Sequence, residues 1–283
     1  MRPGPSPRRP TTMSDADLAA RLEVALAATR EAARATLNWF QNPALAVSTK
    51  ADASPVTAAD VAAEQILSQR LLGAFPDDAF LGEETGSRPG RSGYEWVVDP
   101  IDGTKSFIRG VPLYATLVGC RRDAAGVLGI IYIPALGEIV HATRGGGAWY
   151  QQGDASPTPA RVSSRSQLGE SLLCSSDFRD FRRRPAALDA AAAGGEVRLD
   201  LEEACGIVRT WGDGYGYLLV ATGRADIMAD PLLNAWDAAA ASVIVAEAGG
   251  RFSDWRGIDS IDSGDGLATN GLLHEATLAA LGP

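Results

Sequence analysis

Histidine, cysteine and lysine are scarce in this chain of 283 residues: there are 2 histidines, 3 cysteines and, once 24 arginines are taken from the 26 basic residues, two lysines. His141 and His274 leave little room for a histidine-rich metal centre or a phosphohistidine mechanism. Cys120, Cys174 and Cys205 are too widely spaced for a disulfide framework or a zinc site. They read as buried or free thiols in a reducing cytoplasm. The longest apolar runs, such as Tyr217 to Ala221, fall far short of a bilayer span, so a soluble, cytoplasmic protein with no membrane partner is expected. The net charge of −9 argues against nucleic acid as the main partner. Any anionic substrate must then be met locally, by metal, backbone amides and a few cations. Both lysines, Lys50 and Lys105, lie in the segments that look most chemical. A compact charge on a flexible stem suits an electrostatic role there.

A hydrophobic content of 46% can fill one large core or two smaller ones. Residues 1–13 are rich in Pro and Arg without the apolar core of a signal peptide; they read as a disordered leader, with Met13 as an alternative start. Helical spacing of apolar residues predicts a helix from Ser14 to about Phe40. A loop follows over Asn42 to Val56, then a helix capped by Thr57, with Asp60 in a capping box, running to about Phe75. Strand signals follow at Ala79–Leu81, Tyr94–Asp99, Tyr114–Arg121, Val127–Ile133 and Gly137–Thr143. The polar, Gly-rich loop Ser87–Gly93 is a candidate for mobility. Beyond Gln152, strands alternate with helices: Leu172–Ser175, an alanine-rich helix near Pro185–Ala193, then Tyr215–Ala221 and Ala235–Ala248. A soft boundary is therefore expected between an antiparallel-rich α+β subdomain, 14–151, and an α/β subdomain, 152–283.

The most informative segment is Trp96-Val-Val-Asp99-Pro-Ile-Asp102-Gly-Thr104-Lys105. An apolar strand ends in two aspartates three apart, which need partners, water or cations at that place. The Gly103-Thr104 step leaves backbone N–H groups free to face an anion. Glu83 and Glu84 follow another strand, and Asp237 begins a helix in Asn-Ala-Trp-Asp. Clustered carboxylates are hard oxygen ligands for Mg²⁺, with the Ile101 carbonyl as a further candidate. Two such ions could activate a water and neutralise a leaving oxygen. Each acid also has an ordinary reading: Asp237 and Asp60 as helix-start acids, Glu83-Glu84 as a solvated turn, Asp99-Pro100 as a turn starter. Other phosphate chemistries fit less well. Cys174 has Asp180 where a cysteine phosphatase needs arginine, the aspartyl-phosphate pattern Asp-x-Asp-x-Thr is replaced by Asp99-x-x-Asp102-x-Thr104, and no Gly-x4-Gly-Lys-Ser/Thr loop occurs.

Gly82-Glu83-Glu84, Trp96 to Thr104 and Trp236-Asp237-Ala-Ala-Ala240, ending in Ala248-Gly-Gly250, resemble the inositol monophosphatase family. Lys50 to Asp60 is similar to that family's first motif. The resemblance covers nearly everything from Ser14 onward. It implies an αβαβα layered sandwich, two or three Mg²⁺ ions per site, hydrolysis of a small phosphate monoester, and a homodimer. By motif position it implies Glu83, Asp99, the Ile101 carbonyl, Asp102 and Asp237 as metal ligands. Glu83 and Thr104 would orient the attacking water, and Asp60 would hold a water on the metal. The Gly103 and Thr104 amides would bind phosphate, with no covalent intermediate.

The segment Arg209-Thr-Trp-Gly-Asp213-Gly-Tyr215-Gly-Tyr217 resembles the family's histidinol-phosphatase branch, whose signature includes Gly-Asp-x-Tyr-Gly. Histidinol phosphate carries an ammonium and an imidazole, so Arg209, Asp213 and Tyr215 are candidate substrate residues: a carboxylate can pair with a cation and an aromatic can face it. The alternative is that Asp213 caps a helix and Tyr215 packs in the core. Inositol 1-phosphate or fructose 1,6-bisphosphate on the same scaffold, or a catalytically silent binding protein, are the rival functions.

Overall fold

The strands of the middle of the chain are apolar on both faces, and this dictates the architecture. In the computed structural model, which describes residues 15–49, 55–183 and 200–282, eight strands form one sheet. They are β3 (Ala79–Gly82), β4 (Gly86–Arg88), β5 (Tyr94–Asp102), β6 (Ala115–Arg122), β7 (Ala125–Ile133), β8 (Glu138–Thr143), β9 (Gly147–Gln152) and β10 (Thr158–Pro159), in the order β10-β9-β8-β7-β6-β5-β3-β4. All neighbours are antiparallel except β3 and β5, which run parallel. Side chains alternate between faces along each strand. In β7, Leu128 and Ile130 enter one core while Ile131 and Ile133 enter another. A sheet covered on both sides reads as continuous apolar runs.

The first core lies under α1 (Asp15–Leu37) and α2 (Ala58–Ala74), where Ala25, Ala28, Leu67 and Leu71 meet Trp96, Val98 and Val118. On the opposite face sit α4 (Asp213–Ala221) and α5 (Ala235–Glu247), with Leu218, Ala240 and Ile244 against Leu117, Ile131 and Val140. A second sheet covers these helices. It contains β11 (Leu172–Cys174), β12 (Ile207–Arg209), β13 (Ile227–Asp230), β14 (Arg251–Ser253) and β15 (Gly266–Thr269), ordered β12-β11-β13-β15-β14. Its far face packs Leu173, Ile227 and Leu267 on Leu273 and on Leu281 of the last helix, α6 (His274–Leu281), which Leu273 precedes. The layers are thus αβαβα, as expected.

The small residues of α5 serve a purpose. A Cβ on Gly119 of β6 would lie 2.6 Å from the Ala239 Cβ, and one on Gly129 of β7 would collide with the Ala240 carbonyl. At these two points helix and sheet therefore meet with nothing larger than an alanine methyl between them. At the far end of α5, Glu247 accepts the Gly145 and Gly147 amides at 2.8 and 2.9 Å, tying it to the β8–β9 turn.

Several sequence expectations need adjustment. The loop expected over Asn42–Val56 contains most of a short antiparallel pair, β1 (Val47–Thr49) with β2 (Pro55–Thr57). Its strands are too short to show a period, and the proline sits at a strand start, where its missing N–H costs least. The Ser87–Gly93 loop, expected to be mobile, is tied down: Arg91 and Ser92 amides donate to the Asp77 carbonyl at 2.7 and 3.0 Å, and the Ser92 hydroxyl to Asp78 at 2.7 Å. Tyr215–Ala221 belongs to a helix that starts earlier, at Asp213. The leader, Lys50 and the helix expected near Pro185–Ala193 lie outside the described residues. The three cysteines are free and buried, and burial pushes the Cys174 thiol up to about 12, so an inert role suits them.

His274 gives the fold a pH dependence. It is wholly buried, with Nε2 2.9 Å from the Ser253 hydroxyl and Nδ1 3.0 Å from that of Thr269. Burial, helped by the charge of Arg251, pulls its pKa from 6.5 down to about 4. Between those values the unfolded chain binds the proton and the folded chain does not, so stability rises with pH across the window. His274 is expected to contribute a fall in stability to urea from pH 6.5 to pH 4, of up to about 1.4 kcal/mol per pH unit. His274→Gln should flatten that part of the curve; an unchanged pH slope in the variant would refute the assignment.

Candidate active site

Parallel pairing of β3 with β5 sets Gly82 beside Val98, and the Glu83 amide extends the ladder to the Val98 carbonyl at 3.3 Å. Glu83 therefore emerges next to Asp99. Pairing of β5 with β6 then slips: Asp99 opposes Leu117 and Asp102 opposes Ala115, so three steps on one strand match two on the other. This bulge, at Pro100-Ile101, lets two acids three apart serve one spot. It is held by the Ile101 amide donating to Asp99 Oδ1 at 2.9 Å and the Thr116 hydroxyl to the Pro100 carbonyl at 2.9 Å. The Ile101 side chain is buried with Phe107 and Tyr114, while its carbonyl accepts the Thr104 hydroxyl at 3.2 Å. Gly103 has φ +82° and starts the short helix α3 (Thr104–Ile108).

From the other side, α5 presents Asp237 at its third residue, where Oδ2 accepts the Asn234 amide at 2.8 Å. Carboxylate oxygens of Asp99, Asp102 and Asp237 lie within 4.8 Å of one another. Asp60 sits in the expected capping box, its Oδ2 2.8 Å from the Thr57 amide and 2.6 Å from the Thr57 hydroxyl, and the Glu83 charge acts on it. So the helix-start reading of Asp60 and Asp237 and the cluster reading hold together; the caps orient the acids.

Burial first, then the charges of Glu83, Asp102 and Asp237, push Asp99 well above the usual carboxylate range. Asp102 rises through burial and the charges of Asp213 and Asp237, against the Gly214 amide that donates to it. Asp237 reaches about 7 through burial and Glu83, despite the Asn234 amide. Acids so placed repel one another. An all-oxygen donor set with excess negative charge fits a hard divalent ion, so the residues suit Mg²⁺.

Asp213, expected as a substrate residue, does join this cluster. A Cβ on Gly103 would lie 2.7 Å from Asp213 Oδ2, and the following amide, of Gly214, donates to Asp102. Asp213 has φ +53° and its amide donates to the Ser176 hydroxyl at 2.8 Å, so its side chain does not cap α4. Burial raises its pKa, opposed by the exposed Lys105. Tyr215 is different: residues two apart on a helix do not share a face. Its phenol is half-buried against the central core, where Glu138 and Arg224 act on it. Arg209 is exposed, donating to the Val208 carbonyl at 2.7 Å and lying 5.9 Å from the Trp211 ring. Tyr215 thus lies against the core and not beside Asp213, and Arg209 lies exposed on strand β12.

Two neighbours were missed. Asp230 ends an apolar strand as Asp99 does, the same signal overlooked; burial lifts it to about 6 although the Ser176 amide and Tyr217 hydroxyl donate to it at 2.9 and 3.0 Å. Glu64, four residues after Asp60 on α2, accepts from the Glu84 and Thr85 amides at 2.8 Å each. A cavity of about 780 Å³ lies elsewhere, along the C-terminal half of α5, and none of these acids lines it.

The sequence profile described as Inositol monophosphatase family matches residues 17–282. The chain belongs to the inositol monophosphatase family. It is 39% identical over 262 residues to the "Histidinol-phosphatase" of Chlorobaculum parvum, covering 92% of this chain and 96% of that one. It is 34% identical over 240 residues to the "Inositol-1-monophosphatase" of Mesorhizobium japonicum, covering 84% and 86%. Among solved structures, the extragenic suppressor protein suhB of Bartonella henselae superposes with a TM-score of 0.82 at 28% identity, covering 93% of this chain and 98% of that one. Among the described residues of this family member, no helix is long and apolar enough to cross a membrane.

Proposed function

We propose that this chain is a Mg²⁺-dependent phosphate monoester hydrolase whose substrate is histidinol phosphate. The observation that carries the reading is the convergence of the Asp99, Asp102 and Asp237 carboxylates beside the Gly103–Thr104 turn. Asp99, Asp102, Asp237, Glu83 and the Ile101 carbonyl would hold the metal, which when bound supplies charge neutralisation of the phosphate and acidification of water. The chain's own groups do the positioning. The Gly103 and Thr104 amides receive phosphate oxygens. The Thr104 hydroxyl, anchored on the Ile101 carbonyl, and the Glu83 carboxylate orient a water towards phosphorus, and Asp60 would hold a further water on the metal. Water attacks directly, so the rate comes from positioning and charge.

The substrate assignment rests on Asp213 and on the 39% identity to a named histidinol-phosphatase. Asp213 stands against the phosphate-receiving glycine, within reach of an ammonium carried on the same small molecule; an uncharged polyol offers it no counter-ion. Phosphate release from histidinol phosphate, inositol 1-phosphate and fructose 1,6-bisphosphate tests this. A higher kcat/KM for the inositol or fructose ester would overturn the assignment, and no release from any would favour a silent binding protein. Asp213→Asn keeps a residue that tolerates φ > 0. It is expected to raise KM for histidinol phosphate roughly tenfold to a hundredfold, the value of a charged hydrogen bond. Equal losses on inositol 1-phosphate would make Asp213 structural. The homodimer is what the family resemblance implies; sedimentation equilibrium tests it.

A further inference from the structure

The family motif accounts for Glu83 but not for what fixes it. Glu83 sits at the tip of a tight hairpin: Gly82 pairs with Gly86, leaving Glu83, Glu84 and Thr85 as the loop, closed by Gly86 at φ +75°. Such a loop at a sheet margin, with exposed Thr85 and β4, has little packing of its own. Yet the side chain it carries must meet Asp99 within hydrogen-bond reach.

We infer that Glu64 is the positioning residue for Glu83. Its side chain is 0% exposed, and its carboxylate takes three donors, all from the two residues that follow Glu83: the Glu84 and Thr85 amides at 2.8 Å each, and the Thr85 hydroxyl. The Glu83 amide is spoken for on the opposite side by the Val98 carbonyl. The backbone around Glu83 is thus clamped between a strand ladder and a buried acid. Gly82 completes the clamp: the space its Cβ would fill is occupied by the Glu64 carboxylate, at less than van der Waals distance. Asp60 and Glu64 are i and i+4 on α2 and share a face, so one helix turn addresses both the Glu83 side chain and its backbone.

The role is indirect: Glu64 touches neither metal nor phosphate, and groups that orient ligands typically cost 10–100-fold in metal affinity or activity when removed. In Glu64→Gln, an amide N–H₂ meets the loop donors and breaks the clamp. The inference rests on reading Glu83 as a Mg²⁺ ligand, and the experiment separates the two.

Mg²⁺ alone is titrated calorimetrically into the full chain, into Glu64→Gln, Glu83→Gln and the double variant, with thermal melts alongside. Glu64→Gln is expected to bind Mg²⁺ about tenfold more weakly. In the Glu83→Gln background the same change should add less than twofold. Parent-like Mg²⁺ binding by Glu64→Gln, or a full tenfold loss repeated without Glu83, overturns the inference and leaves the Glu83 reading intact. Parent-like binding by Glu83→Gln overturns the reading beneath it, and the inference with it. Should Glu64→Gln fail to fold, Thr85→Val removes one donor from an exposed position; about a threefold weakening, absent in the Glu83→Gln background, supports the clamp, and no weakening refutes it.

Discussion

Asp102→Asn is expected to lose at least about 10³-fold in kcat, because it removes an anionic ligand from a site that works by charge. The same variant is expected to be more stable than its parent in EDTA. Asp102 is buried beside Asp99, Asp237 and Asp213, all acidic, and its pKa is driven up by that company. An asparagine keeps the acceptor for the Gly214 amide and discards the repulsion. A rise of a few degrees in Tm is expected, each kcal/mol being worth roughly 2–4 °C at this size. Activity and stability thus move in opposite directions, as at other sites held under strain by function.

The pH profile of the metal-free protein carries the same sign. An acid whose folded pKa lies above its unfolded value of 3.8 destabilises the fold as pH rises between the two. With Asp237 at about 7, and Asp99 and Asp102 raised beside it, the metal-free protein should lose stability from pH 4 towards pH 7 relative to the Mg²⁺ form. His274 slopes the other way, but it is common to both forms and cancels in the difference between melts with Mg²⁺ and with EDTA. A kcat within tenfold of the parent, or a lower Tm for Asp102→Asn in EDTA, would remove this account of the cluster.

Arg21→Ala is expected to cost 3–5 kcal/mol of folding free energy, the usual penalty for orphaning a buried charge. Arg21 is 5% exposed on α1, and its Nη2 reaches both oxygens of Asp78 at 3.0 and 3.1 Å, with Asp17 as a second partner. The guanidinium lies 3.6 Å from the Tyr94 ring centroid and 4.4 Å from that of Phe75, so two aromatic faces share its charge. Asp78, 1% exposed, also accepts the Ser92 hydroxyl and the Trp96 indole N–H, at 2.7 and 3.1 Å. Removing Arg21 leaves that acid buried with neutral donors only. The loss should appear as a lower urea midpoint at unchanged m. A loss below about 1 kcal/mol would mean that water or rearrangement replaces the arginine.

Much of this was legible because some residues are conspicuous against their local background. Asp99 and Asp102 end an apolar strand, and the acids of Thr57-Ala-Ala-Asp60 and Asn234-Ala-Trp-Asp237 mark helix starts. Strands such as β6 and β7 announce burial on both faces through nearly continuous apolar sequence. Glu64 was illegible for the converse reason. An acid within a helix looks like a solvated face, and only the packing of α2 against the β3–β4 loop, twenty residues away, gives it a role. The meeting of Gly214 with Asp102 spans 112 residues and leaves no local trace. Tyr215 and Asp213 are neighbours in sequence, but a helix sends residues two apart in different directions, a separation that the bare motif does not show.

The direct seating of α5 on Gly119 and Gly129 has a consequence for how this protein can diversify. Where two elements meet through long side chains, repacking can change their spacing by small increments. At these two glycines nothing larger than the Ala239 methyl intervenes, so the distance from the sheet that bears Asp99 to the helix that bears Asp237 is a fixed gauge. Neighbouring segments, including the Ser176 loop and the start of α4, can accumulate substitutions without changing that gauge. Inherited drift can therefore alter which molecule is accepted while the separation of the metal-facing acids stays constant.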